Sequence, residues 1–530
     1  MAFTSLNFLI FAIITVCVYY AVPSKWRWIE LLFASYAFYL LSSPKTFLFV
    51  ILTTAVTFLG GLYIGNCNRD HKAYIEEHKA ELSRDDKKAL KAVSQRKKRK
   101  MAALILVLIF GVLAVLKYLR YYLQVAGLLD TGSLLIPLGI SFYTFQSAGY
   151  IFDLYRNKIE PDRNIAKFAL FTAFFPQIIQ GPISRYDQLA GQLYEGNKFD
   201  YRNLTRGAQL VLWGFFKKLV IADRVAVLVN EVFSNYTEYT GGAVFMALLF
   251  YMIQIYADFS GGIDIARGVA QCMGIDMTHN FLRPYFAHDL SEFWNRWHIS
   301  LSHWCRDYIF YPVAMSKFFG KMGKSLRTIF GDRVGKLFPV IIAQYCTFLT
   351  IGLWHGADFK YIAFGLYNGT VIVLGLLLEP FFRRIIEKLH IDAKSRYWQG
   401  FRLVRTFFVV LVGRVFPKAV SFSAAIAMFF SMFRLNHGTP FSETMMSFGL
   451  TGIDYLIIAV SCAIWLVISI CEEKHARSEG GPGEKAFRFA LEQKPLALRW
   501  AVLLLGFAMV LVLGSYGPGY DASAFIYRGF

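Results

Sequence analysis

Residues 338–357 read FPVIIAQYCTFLTIGLWHGA, and no charged side chain occurs between Phe338 and Trp354. A run of this kind meets the roughly 17–25 apolar residues that an α-helix needs to cross a hydrocarbon layer of about 30 Å. It ends on His355, followed by Gly356. An ionisable group at membrane depth is costly, so its presence is by default a functional hypothesis, and histidine is the side chain that exchanges a proton near neutral pH. A second histidine, His298, lies in another aromatic segment, FWNRWHISLSHWCRDY, residues 293–308.

The whole chain has the composition that this stretch implies. Of its 530 residues 56% are apolar and only 17% charged, with 51 Phe and 30 Tyr; a soluble domain carries about a quarter charged residues. Stretches of crossing length or nearly so recur near 6–22, 28–43, 46–65, 101–119, 134–153, 165–180, 207–229, 242–259, 338–355, 359–378, 404–417, 453–471 and 497–514. The expected class is therefore an all-α polytopic membrane protein forming one membrane-embedded domain over 1–530. The first stretch has no basic residue before its apolar core and is followed at once by others, which favours a retained helix over a secretory signal. The seven cysteines are scattered, without the spacing of a disulfide framework or a CxxC zinc site.

The net charge of +20 is concentrated in polar connections. The segment 66–100 ends in QRKKRK (Gln95 to Lys100), 382–405 is also basic on balance, and 472–495 carries five Lys and Arg beside five Glu. The excess of Lys and Arg on cytoplasmic loops places the first two on the cytoplasmic side, with 472–495 expected on the same side, and makes membrane lipid, not nucleic acid, the expected partner of the charge. Lys72 to Val93 reads as a pair of surface helices, and Gly480 to Gly483 as a flexible break. No internal repeat and no soluble enzymatic domain is legible, so any chemistry belongs to the membrane domain. P-loop, HExxH, GxSxG and dinucleotide-binding signatures are absent. His303 to Asp307 matches a loose HxxxD pattern, but the doubled histidine and trailing glycine that usually accompany it are missing.

If 290–313 were one continuous helix, a 3.6-residue period would align Trp294, His298, Leu301, Ser302 and Cys305 on one stripe, with Arg296, His303 and Arg306 elsewhere. His298 then faces inward, either as a functional group or as a packed histidine bonded to backbone. His355, between Trp354 and Gly356, either lines a narrow cavity or anchors the helix end at the interface. Asp258 and Asp264 flank Ser260-Gly261-Gly262, where a helix break is expected. They either cap helix ends or hold a substrate group. Gln180, Arg185, Arg296 and Arg306 are candidates for polar donor groups.

Further segments carry a family pattern: IPLGISFYTFQSAGYIFDLYR (136–156), FFPQIIQGPISRY (174–186), YADFSGGIDIA (256–266), NFLRPYFAHDLSEFWNRWHISLSHWCRDYIFYP (280–312), GLWHGA (352–357) and the closing YGPGYDASAFIY (516–527). Together and in this order they resemble the membrane-bound O-acyltransferases (MBOAT), most nearly the bacterial alginate O-acetyltransferase branch, with the D-alanyl transferases of teichoic acid as more distant relatives. The chain departs from the pattern at Gly262-Ile263, at Asn368, where a His-Gly pair is more frequent, and at 413–417, an altered Trp-Val-Phe-Phe-like run.

The resemblance implies a helical funnel with reentrant and interfacial helices around a central pore. It makes His355 the principal catalytic residue and His298 the second; beside them the residues themselves offer Trp294, Ser302, Trp354, Asp258, Asp264, Gln180, Arg296 and Arg306 as substrate-contacting candidates. It further implies a multi-pass protein of the cell (cytoplasmic) membrane, no metal and no bound cofactor, with acetyl-CoA or another acyl thioester as donor substrate from the cytoplasm. A separate extracytoplasmic partner with an SGNH-hydrolase-like site would pass the acetyl group to the polymer. The alternatives are D-alanyl transfer to teichoic acid, a transporter relaying protons through its histidines, and a non-catalytic subunit of a polysaccharide synthase.

Overall fold

The computed structural model describes residues 1–128, 136–434, 441–479, 486–516, 520, 521 and 525. Among these the chain is helical, with one isolated β-bridge between Phe281 and Trp297. Among the described residues seven helices are long and apolar enough to cross a membrane. The protein is thus an all-α polytopic membrane protein. Its helices group into two compact units, Met1–Ala208 with Ala266–Thr278, and Gln209–Ile265 with His279–Phe530.

The first unit contains α1 (Leu6–Ala21), α2 (Arg27–Ser42), α3 (Phe47–Glu77), α4 (Arg84–Ala114), α5 (Ile140–Tyr155) and α6 (Ile165–Ala173). Helix α4 begins at a capping box, in which the Ser83 hydroxyl accepts from the Asp86 amide and the Asp86 carboxylate accepts from the Ser83 amide. At 31 residues each, α3 and α4 extend about 46 Å, well beyond a hydrocarbon layer of about 30 Å. Their polar ends must therefore stand in water, and they form the helix pair expected over 72–93. The two helices pack closely at Gly60, where a Cβ would lie 2.1 Å from Ile105 Cδ1. In a variant without native cysteines, a cysteine in place of Lys88 is expected to resist an impermeant thiol reagent in intact cells and to react once the membrane is opened. Labelling of intact cells would put the basic hairpin outside.

The stretch 165–180 is not a crossing helix. Helix α6 stops at Ala173, the chain bends at Phe174, and a four-residue turn, Phe175–Ile178, restarts on Pro176 before an irregular segment. Proline lacks the amide that would continue the ladder, so it starts a helix well and extends one badly. The side chains of 168–184 are all buried, so the apolar character of the stretch reflects packing inside the protein.

Helix α7 (Tyr201–Phe215) and helix α8 (Gly241–Cys272) each contribute to both units. In the second unit α7 runs on into a π-helical turn, Phe216–Ala222. Helix α8 passes unbroken through Ser260-Gly261-Gly262. Those residues permit close packing instead of a break: a Cβ on Gly214 would meet the Gly261 carbonyl oxygen at 2.6 Å. Asp258 and Asp264 accordingly cap nothing. Lys218 Nζ lies 2.6 Å from Asp258 and 2.7 Å from Asp223, and Lys217 Nζ lies 2.5 Å from Asp264 and 2.8 Å from Ser260 Oγ. Each buried lysine thus meets a carboxylate, the condition under which charge is tolerated away from water.

The second unit continues with α9 (Leu290–Arg296), α10 (Ile299–Cys305), α11 (Lys317–His355), α12 (Phe359–Lys388), α13 (Arg396–Lys418), α14 (Gly452–Glu479) and α15 (Leu496–Leu513). Helix α11 is kinked at Gly331, whose φ of 82° leaves the helical range. The part before the kink is basic, with Phe318, Ile329 and Phe330 exposed, as suits an interfacial helix. The segment 382–405 is helical except around 389–395, between α12 and α13. Phe422–Ser431 is a short apolar helix not anticipated above, while the break expected at Gly480 to Gly483 lies outside the described residues.

Helices α11 and α12 form a hairpin held by small residues. A Cβ on Gly352 would lie 2.4 Å from the Tyr361 carbonyl oxygen, and one on Gly365 would lie 2.4 Å from that of Phe348. Gly352, with Gly356 just past the end of α11, and Gly365 and Gly369 on α12 have the small-xxx-small spacing that lets helices approach in a membrane. This brings the C-terminal end of α11, and His355 with it, against α12.

Candidate active site

The segment that carries His298 is two short helices, not one. The first, α9, ends at Arg296; Trp297 is extended; His298 adopts φ 45° and ψ 53°; and α10 starts at Ile299. The single stripe through Trp294, His298 and Ser302 therefore does not exist. A left-handed conformation in a residue with a Cβ costs about 1–3 kcal/mol and persists only where its surroundings impose it.

The constraints are visible. The Asn280 carbonyl oxygen accepts from the Ile299 amide at 3.0 Å, and Asn280 Oδ1 accepts from the Ser300 amide at 2.9 Å. The Leu282 amide donates to the Arg296 carbonyl at 3.0 Å, and Phe281 bridges to Trp297. Asn280 is thus the hinge pin of the joint. Asn280→Ala would leave the buried Ser300 amide without its acceptor, at a cost of about 1–3 kcal/mol. It should lower the thermal unfolding temperature of the purified protein measurably; an unchanged transition would show that the joint does not depend on this bond.

The two histidines meet the same indole. The His298 ring centroid lies 5.4 Å from Trp354 and the His355 centroid 4.9 Å from it, both edge-on. Phe259 packs on His298 at 5.0 Å, and Phe364 on His355 at 5.5 Å. His298 is 1% exposed and His355 4%. Burial, aided by the positive charge of Arg414, pushes the His298 pKa down to about 3, so this imidazole is neutral at every physiological pH.

Trp294 lies nearby in the same cluster, with its ring 5.3 Å from Phe348 and 6.2 Å from Phe364. Its indole N–H donates to Asn368 Oδ1 at 3.1 Å, and the Asn368 amide donates to the Phe364 carbonyl at 2.8 Å. Trp294, Ser302 and Arg306 line a cavity of about 180 Å³, together with His303, Asn295, Gln344 and Thr347. The two principal histidines are not in its wall, whereas His303, which the stripe turned away, is.

The remaining candidates have other surroundings. Arg296 is engaged by Glu473 at 2.9 and 3.1 Å and by Glu292 at 2.7 Å, a network that Arg283 joins through Glu473 at 2.8 Å. Arg306 Nε lies 2.9 Å from Asp307. Asp258 and Asp264 are bound to lysines as described. Gln180 belongs to the first unit, where its side chain is fully buried. Arg414 and Asn280 were not singled out from the sequence, because their importance depends on contacts between distant segments. Among the described residues no cluster of His, Cys, Asp and Glu could hold a metal.

The model of the membrane-bound O-acyltransferase (MBOAT) family matches residues 157–331. A probable alginate O-acetylase, AlgI, of Azotobacter vinelandii is 32% identical over 411 residues, 73% of this chain and 75% of that protein. The probable alginate O-acetylase AlgI of Pseudomonas aeruginosa is 35% identical over 338 residues, 62% of this chain but only 58% of that protein. A peptidoglycan O-acetyltransferase of Helicobacter pylori is 29% identical over 358 residues, 62% of this chain and 63% of that protein.

Proposed function

The chain belongs to the membrane-bound O-acyltransferase family, and from that premise we propose that it moves an acetyl group from a cytoplasmic thioester to an extracytoplasmic acceptor, for O-acetylation of a cell-surface or exported polysaccharide. The observation that carries this reading is the pair of buried imidazoles on one indole, with His355 at the end of a helix long enough to span the bilayer. An enzyme that crosses the membrane lets a cytosolic thioester and an external hydroxyl react without either substrate crossing.

In the proposed step His355 accepts the hydroxyl proton as the oxygen attacks the thioester carbonyl. The new C–O bond forms, the C–S bond breaks, and the proton passes to the departing thiolate. General-base assistance of this kind contributes on the order of 10²–10⁴-fold in rate. His298, held neutral, is too weak a base for that role. It suits a hydrogen bond that orients the donor carbonyl or the acceptor. An acetylated histidine on the way is chemically open to His355, since imidazole is also a nucleophile. The cavity lined by Trp294, Ser302, His303 and Arg306 offers polar groups to one of the substrates. We place the protein in the bacterial cytoplasmic membrane, with a separate extracytoplasmic acetyltransferase of the SGNH-hydrolase type as the next carrier.

The test is deletion of the gene and measurement of alkali-labile acetate on the surface polysaccharide, with restoration by the wild-type gene. Unchanged acetate in the deletion strain would contradict the proposal, and loss of D-alanine esters in its place would redirect it to teichoic acid.

A further inference from the structure

Arg414, on α13, carries a positive charge into an aromatic cluster of the second unit. It is 3% exposed. Its guanidinium carbon lies 4.2 Å from the ring centroid of Trp297, 5.5 Å from Phe364, 5.6 Å from Phe293 and 5.8 Å from Trp294. Among the described residues its Nη2 has no hydrogen-bond acceptor. A buried cation without a carboxylate is expensive, and attraction to ring faces offsets only part of that cost. An arginine in such a place calls for a role that a leucine would not fill.

The rings around it indicate the role. Trp297 is the residue before the left-handed His298, and Phe364 packs directly on His355. The guanidinium thus touches one ring joined by the chain to the first histidine and another in contact with the second.

We propose that Arg414 is a positioning residue for acyl transfer: its guanidinium, stacked on Trp297, holds the joint that presents His298 to Trp354. The proposal rests on the acyl-transfer reading given above. Other charged or titratable groups lie on the elements packed around His298. On α8, Asp258 and Asp264 are each bound to a lysine; on α9, Arg296 is bound to Glu473 and Glu292; His303 lies on α10 and His355 on α11. After burial itself, Arg414 is the influence that keeps His298 from taking up a proton.

Two substitutions separate shape from charge. Arg414→Met keeps the length and removes the charge, while Arg414→Lys keeps the charge and removes the flat stacking surface. Each is compared with wild type for kcat and KM of acetyl transfer across pH, in preparations matched for abundance and thermal unfolding. The expected result for Arg414→Met is a fall in kcat of about tenfold or more with KM little changed. Burial still opposes protonation of His298 once the charge is gone, so the fall should be similar at about pH 6 and about pH 8. Arg414→Lys should lose less and keep the wild-type pH profile. Wild-type kcat in Arg414→Met, or a loss of one factor at every pH shared by both variants, would overturn the proposal. If wild-type protein itself transferred no acetyl group, the acyl-transfer reading would be what failed. The clamp would then be judged by a double-mutant cycle of unfolding between Arg414→Met and Trp297→Leu, where additive effects would reject it.

Discussion

Replacing His355 by Ala is expected to abolish acetylation of the surface polysaccharide while leaving the protein in the membrane at its normal level. The imidazole sits at the C-terminal end of a spanning helix, 4% exposed, against Trp354 and Phe364. On the proposed reading, losing the general base costs on the order of 10²–10⁴-fold in rate, which is enough to bring polymer acetate to background. Ester-linked acetate and the abundance of the variant are measured in the same cells. Acetate near the wild-type level from a well-expressed His355→Ala protein would remove the histidine from the chemistry.

His298 should be nearly as sensitive, and its backbone makes a finer prediction possible. His298→Ala and His298→Asn both remove the imidazole, and both are expected to lose acetyl transfer severely. Their stabilities should differ. Asparagine tolerates the left-handed region far better than alanine, which would keep a strain of about 1–2 kcal/mol at φ 45° and lose the packing against Phe259 and Trp354 as well. His298→Asn should therefore unfold at a higher temperature than His298→Ala. The reverse order would show that the left-handed joint is not what the surrounding bonds enforce. His303→Ala, whose side chain borders the cavity, should alter KM more than kcat.

The membrane class and most of the long helices were legible in the sequence because both follow from composition over tens of residues. His355 and His298 stood out as histidines in apolar, aromatic segments, and their suggested roles came from the family resemblance. What was not legible depends on local backbone choices or on distant contacts. Nothing in 290–305 announces that the helix stops for Trp297 and His298, since the stop is imposed by Asn280 and Phe281 from a neighbouring segment. Ser260-Gly261-Gly262 looked like a break because glycine weakens isolated helices, whereas here Gly214 and Gly261 serve helix contact. Asp258 and Asp264 drew notice as intramembrane charges, and their lysine partners lie some forty residues upstream on a π-helical turn with no sequence signature. Residues 165–180 were apolar enough to span, yet Pro176 and the burial of every side chain from Phe168 onward make them an internal segment.

The most direct test of the account places purified protein in sealed vesicles of known orientation, with acetyl-labelled coenzyme A at the cytoplasmic face and a hydroxyl-bearing acceptor at the other. The account predicts alkali-labile label on the acceptor, one free thiol released per ester formed, and neither product from His355→Ala. Folded wild-type protein that releases no thiol but conducts protons through its histidines would contradict it, as would equal ester formation by wild type and His355→Ala.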